Sequence, residues 1–157
     1  MATYYVVANH TKGEFLDSFK FGEAPRLLEL MRSGCTLAGL ALLLRVSPTP
    51  GGGDWFAEDA PSDALARHPI VGSWAGDKVE IVGDDDGSAY WSVRDSYVDV
   101  SFKALAALVR DKVTRDKLLD KLSWVLDGTM TAAGFVSTNE LNAFNLLLEE
   151  TPAWTGH

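Results

Sequence analysis

Residues 72–87, Gly-Ser-Trp-Ala-Gly-Asp-Lys-Val-Glu-Ile-Val-Gly-Asp-Asp-Asp-Gly, set a strand signal between two clusters of glycine and carboxylate. Val79, Ile81 and Val82 favour extended backbone, and Lys78 and Glu80 alternate with them in the period-two pattern of a half-buried strand. Gly76-Asp77 punctuates the start and Gly83 to Gly87 the end, so carboxylates collect at both ends of the strand. Asp84, Asp85 and Asp86 are adjacent. Three neighbouring negative charges repel unless water, a cation or a backbone amide compensates them, and which of these does so bears directly on function.

Around this strand the chain reads as α+β. Thr3 to Ala8 is aromatic and β-branched, and the pattern resumes at Glu14 to Phe21 with Phe15, Phe19 and Phe21 on one parity and Asp17 the exception. That predicts an N-terminal hairpin turning at Lys12-Gly13. Glu23-Ala24-Pro25 then opens a helix whose apolar face is Leu27, Leu28, Leu30 and Met31 and which stops at Ser33-Gly34. Thr36 to Arg45 is apolar nearly all round, rich in Leu and Ala and poor in β-branched residues, so a buried helix is expected. Ser47 to Asp54, with two prolines and three glycines, breaks regular structure and begins an irregular connection to about Ile70.

After the acidic turn, Ala89 to Val93 is expected to return as a strand, with Tyr97 to Val100 short and extended. Ser101 fits an N-cap for a helix over Phe102 to Arg110 with Leu105, Ala106, Leu108 and Val109 as its stripe. A second helix is expected over 114–125, with Leu118, Leu119, Leu122 and Trp124 inward. Ser137 and Glu140 form a capping box for a last helix, Thr138 to Glu149, that buries Leu141, Phe144, Leu147 and Leu148. The expected architecture is one domain over 1–157: a small, mainly antiparallel sheet packed by four or five helices. Residues 1–105 form an α/β part with the glycine-rich loop 47–70, and residues 106–157 a helical part.

With 157 residues and 46% hydrophobic side chains the chain can build a sizeable core. Its formal net charge of -8 opposes nucleic acid and anionic membrane surfaces, and suits a basic partner, a cationic ligand or plain solubility. A lone Cys35 rules out an internal disulfide. No secretory signal opens the sequence. The longest apolar run, Leu37 to Leu44, is far shorter than the roughly 20 residues that span a bilayer. The expectation is a cytoplasmic protein with no membrane partner.

Hard oxygen ligands suit Ca²⁺ or Mg²⁺, and Asp54, Asp77, Asp84 and Asp86 beside turn glycines are the candidate metal ligands. The EF-hand pattern fails on counting, because Ala89 stands where its glycine belongs and Asp95 where its glutamate does. The plainer reading is that these acids cap turns and face water. His68, in the long connection, is the one candidate general base, against the commoner role of a solvated loop histidine. Neither His10 nor His157 falls at a zinc spacing. Cys35 reads as a small packed hydrophobe, and no phosphate-binding glycine loop is present.

Trp55 and Phe56 in the glycine-rich loop, Trp74 and Asp77 before the strand, and Tyr90 and Trp91 after the acidic turn suggest an aromatic and acidic concavity. Such a surface favours cations through the ring faces and ion pairs, whereas aromatics at strand ends otherwise serve as core lids.

The order of landmarks resembles a family of small, uncharacterised bacterial and archaeal proteins. The resemblance rests on Thr11-Lys12-Gly13-Glu14, Lys20-Phe21-Gly22, Gly51-Gly52-Gly53-Asp54 and the pairing of Trp74-Ala75-Gly76-Asp77 with Gly83-Asp84-Asp85-Asp86. It covers roughly the first 105 residues; it supports the element order and implies no activity. The function expected is that of a non-enzymatic acidic binding protein, inhibitor- or immunity-like, that captures a basic protein. The alternatives are a divalent-metal-dependent hydrolase using the loop aspartates and a homo-oligomer subunit joined through the helix at 36–45.

Overall fold

Tyr5–Asn9 forms strand β1, and its Val6, Val7 and Ala8 are all buried, because both faces of this strand are covered. In the computed structural model, which describes residues 3–46, 69–86, 88–109, 116, 120, 122–134 and 136–150, β1 lies inside a four-stranded sheet. The other strands are β2 (Glu14–Leu16), β3 (Val79–Gly83) and β4 (Val98–Asp99), and the order is β3-β1-β2-β4. β1 runs antiparallel to β2 and to β3, and β4 pairs parallel with β2.

The α-helices whose bounds fall within the described residues are α1 (Leu27–Ser33), α2 (Cys35–Leu44), α3 (Ser88–Ser96), α4 (Ser101–Leu108), α5 (Ser123–Leu126), α6 (Thr129–Ala132) and α7 (Thr138–Glu150). The fold is α+β. Alternation along β1 divides it into layers. Val7 and Leu16 face a large core with α2, α4 and α7, where Trp74, Phe21, Leu105 and Phe144 are fully buried. Val6, Ala8 and Phe15 face a smaller core completed by Tyr90 and Val93 of α3.

Several expectations are met. The hairpin turns over residues 10–13, and Gly34, with φ 79°, stops α1 where only a residue tolerant of left-handed backbone fits well. The segment at 36–45 is a helix with Thr36, Gly39, Leu42 and Leu43 buried. α7 starts at Thr138, with the Glu140 N–H donating to Ser137 Oγ at 3.1 Å, and buries Leu141, Phe144 and Leu148.

Other expectations are corrected. The stretch at 89–93 is helix α3 rather than a strand, since Tyr90 and Val93, three residues apart, bury on one helical face while Trp91 and Ser92 face water. β2 stops at Leu16 because Asp17 accepts the Phe19 N–H at 3.1 Å and opens a 3₁₀ turn, Ser18–Phe21, ended by Gly22. The strand 79–83 stands at the sheet edge, so Ile81 is 45% exposed. α1 begins at Leu27, and of its expected apolar face only Leu30 is buried; Leu27, Leu28 and Met31 are exposed. Ser101 is the first residue of α4 rather than its cap, and its N–H donates to Asp99 at 2.9 Å. Of the helix expected over 114–125, Asp116 and Asp120 are helical and exposed, Leu122 stands in a buried turn, and Trp124 points outward.

Candidate functional site

The two ends of β3 hold the acidic residues that the sequence singles out, and each end is built differently. At the start, Trp74 and Asp77 lie against the β1–β2 turn. The Trp74 indole N–H donates to Glu14 Oε1 at 2.9 Å, and its ring is fully buried. Asp77 accepts from Asn9 Nδ2 at 2.8 Å and from Lys12 Nζ, while Asn9 Oδ1 in turn accepts the Lys12 N–H at 2.9 Å. The Lys12 and Asn9 hydrogen bonds hold the Asp77 carboxyl below the usual carboxylate range. Asp77 is therefore a latch between the turn and the segment before β3.

At the far end, Gly83 leads into a 3₁₀ turn, Asp84–Asp86. A Cβ at Gly83 would stand 2.6 Å from Asp85 Oδ1, so glycine leaves the room in which the acidic turn folds back. Asp84 pairs with Tyr4 reciprocally: its N–H donates to the Tyr4 carbonyl at 2.9 Å and its Oδ1 accepts the Tyr4 N–H at 3.0 Å. A backbone amide is thus what compensates the first of the three charges. The intervening strand puts Asp77 and Asp84 roughly 15 Å or more apart at about 3.3 Å per residue, so these two acids cannot share one ion. Asp54 lies outside the described residues, and among the described residues no group of three or more His, Cys, Asp and Glu gathers as metal ligands would.

The aromatic candidates divide. Trp74 and Tyr90 are core side chains, 0% and 3% exposed, and so are not available to a partner. Trp91 is 55% exposed on α3, its ring set edge-on to Tyr90 at 5.1 Å between centroids. Asp95, one helical turn further, is also exposed, as is Asp85 on the acidic turn. Tyr4, which continues the parity of Val6 and Ala8, is on the same side of the sheet as α3 and is 38% exposed. Trp55, Phe56 and His68 lie outside the described residues.

The cation of α3 faces the other way. Arg94 donates to Asp17 at 3.2 Å and lies over the rings of Phe15 and Tyr90. Asp17 is almost completely buried, and burial pushes its carboxyl up despite Arg94. A second buried cation, Lys20, is held by Asp99 at 2.5 Å and by Glu140; burial alone would lower its pKa, but these carboxylates raise it above the usual value. Together these pairs tie the 3₁₀ turn after β2 to α3, β4 and α7. His10 forms a third tie, with Nδ1 2.9 Å from the Tyr97 hydroxyl and Nε2 3.0 Å from Glu80 Oε1. Both ring nitrogens are engaged, so the imidazole acts as a spacer and has no lone pair free for a substrate. None of these partners is local in sequence, and no motif marks them. Comparison of the chain with protein-family models, with curated proteins and with solved structures gives no match.

Proposed function

We propose that the chain is a non-enzymatic, cytoplasmic binding protein whose exposed α3 face captures a basic segment of a partner protein. The observation that carries this reading is the sorting of charge on α3: Arg94 turns inward to Asp17, and Trp91 and Asp95 remain outside. An arginine or lysine laid on the Trp91 ring would gain about 0.5–2 kcal/mol, and each exposed ion pair with Asp85 or Asp95 up to about 1 kcal/mol. The net charge of -8 adds long-range attraction for a cation. The sum gives a weak, salt-sensitive complex.

Titration of the protein with an oligoarginine peptide, followed by calorimetry, tests it. Affinity should fall as salt rises, and Trp91→Ala should weaken binding by about 2- to 30-fold. Asp95→Asn should cost less. Salt-independent binding, or affinity unchanged in Trp91→Ala, would refute the reading.

A further inference from the structure

Among the described residues β3 and β4 are the two edges of the sheet, and β3, although it carries the charge of Glu80, is the longer and flatter of the two. β4 is two residues long, whereas β3 pairs with β1 over five consecutive residues without a bulge and contains no proline. The Lys78 carbonyl accepts from the His10 N–H and the Asp84 N–H donates to Tyr4, so the even-numbered residues direct their peptide groups to β1. Val79, Ile81 and Gly83 therefore direct theirs outward. Among the described residues no strand pairs with that edge.

We infer that β3 pairs with β3 of a second copy of this chain, antiparallel about a two-fold axis at Ile81, to give one continuous eight-stranded sheet. The charge pattern selects the register. Only odd residues can exchange hydrogen bonds, so the candidate pairings are few. With Ile81 opposite Ile81, Val79 faces Gly83, Glu80 faces the neutral Val82, and Lys78 faces Asp84 twice. Moving the copy so that Glu80 is on the axis sets Glu80 against Glu80. Moving it the other way, with Val82 on the axis, sets Glu80 against Asp84 twice. Like charges directly opposite destabilise a strand pair, so both neighbouring registers are disfavoured.

The favoured pairing also covers what the monomer leaves open. The two Ile81 side chains, each 45% exposed in the single chain, would lie against one another on the face shared with Val7 and Leu16. Lys78, the most exposed member of its ion pair with Glu80 at 72%, is free to turn to the second copy. The contact is isologous, so it closes at two copies rather than growing into a fibre. It uses residues distinct from Trp91 and Asp95 and does not depend on the capture of a basic partner.

Light scattering coupled to size exclusion is the test, run on the full chain up to about 1 mM, where even a very weak complex registers. The expected mass at high concentration is twice the 17.0 kDa of one chain. Ile81→Lys should return the monomer with an unchanged circular dichroism spectrum, and Lys78→Glu should weaken association. Air oxidation of Ile81→Cys should give a covalent dimer, since residues opposite one another in a hydrogen-bonded pair have Cα atoms about 5.5 Å apart, within disulfide reach. Wild type, whose Cys35 is buried, should give none. A wild type that stays monomeric overturns the inference, as does failure of Ile81→Cys to cross-link. So does a dimer that survives Ile81→Lys and is lost in Leu28→Glu with Met31→Glu, which would place the contact on α1.

Discussion

Glu23 and Thr36 meet twice at one carboxylate oxygen: Oε2 accepts the Thr36 hydroxyl at 2.7 Å and the Thr36 N–H at 3.2 Å, while Oε1 accepts the Cys35 N–H at 2.6 Å. The start of α2 is preceded by Gly34, which has no side chain to cap it, and this buried carboxylate caps it from twelve residues upstream. It also places negative charge at the positive end of the helix. Glu23→Ala should destabilise the fold by about 2–3 kcal/mol, because it leaves buried donors without partners, and Glu23→Gln by roughly 1 kcal/mol. Urea unfolding followed by far-ultraviolet circular dichroism reads both.

Trp74→Phe isolates the polar part of a core residue. The ring volume is largely kept and the bond to Glu14 is lost, so about 1 kcal/mol should disappear. Trp74→Ala opens a cavity as well and should cost about 3–5 kcal/mol. Equal losses in the two variants would show that the indole N–H, not the packing, fixes this segment.

Gly39 faces the Phe21 ring across the α2 contact. A Cβ there would stand 3.0 Å from two ring carbons and 3.7 Å from the Ala104 Cβ, and Phe21 is fully buried with nowhere to retreat. Alanine gains up to about 1 kcal/mol in helix propensity, and overpacking costs about 1–3 kcal/mol, so Gly39→Ala should be net destabilising. A rise in Tm would mean that the ring moves easily.

Acid should weaken the tie between Lys20 and Glu140. Burial alone would raise the Glu140 carboxyl, but hydrogen bonds from Lys20 and Ser137 bring it below its ordinary 4.5. A lowered carboxylate stabilises the fold above its unfolded value and loses that contribution as pH falls through the folded one. Glu140→Gln should therefore cost a few tenths to about 1 kcal/mol at neutral pH, the modest figure befitting a part-exposed pair. The gap from wild type should narrow as pH falls below that ordinary value and close once pH has passed the lowered one. Asp17 runs the other way: burial raises its carboxyl, so its contribution is greatest at low pH and diminishes as pH rises above its ordinary value of 3.8.

Local chemistry made much of this fold legible. The hairpin, the stop at Gly34, the helical nature of the Leu- and Ala-rich segment at 36–45 and the cap at Ser137 each depend on a few neighbouring residues. What escaped depends on partners far along the chain. Whether residues 79–83 lie inside or at the edge of the sheet is decided by β1, some seventy residues upstream. Tyr90-Trp91-Ser92-Val93 has the side chains of a strand, and only the burial of Tyr90 and Val93 against Phe15 makes it helical. Of the binding candidates within the described residues, Trp91 is the aromatic that stays in water, and Asp84 is bonded to the Tyr4 backbone, in keeping with the plainer reading of a turn-capping acid.

The antiparallel match of Tyr5–Asn9 with Val79–Gly83 sets an order on synthesis. A ribosome that has released the hairpin still has the 62 residues between Leu16 and Val79 to add before β3 exists, so one long side of β1 waits for a mate. Closure entropy grows only logarithmically, by about 0.6 kcal/mol for each doubling of the intervening chain. Insertions or deletions between Leu16 and Val79 that spare the packed helices should consequently leave the strand register untouched, which makes this interval the natural place for related chains to differ in length.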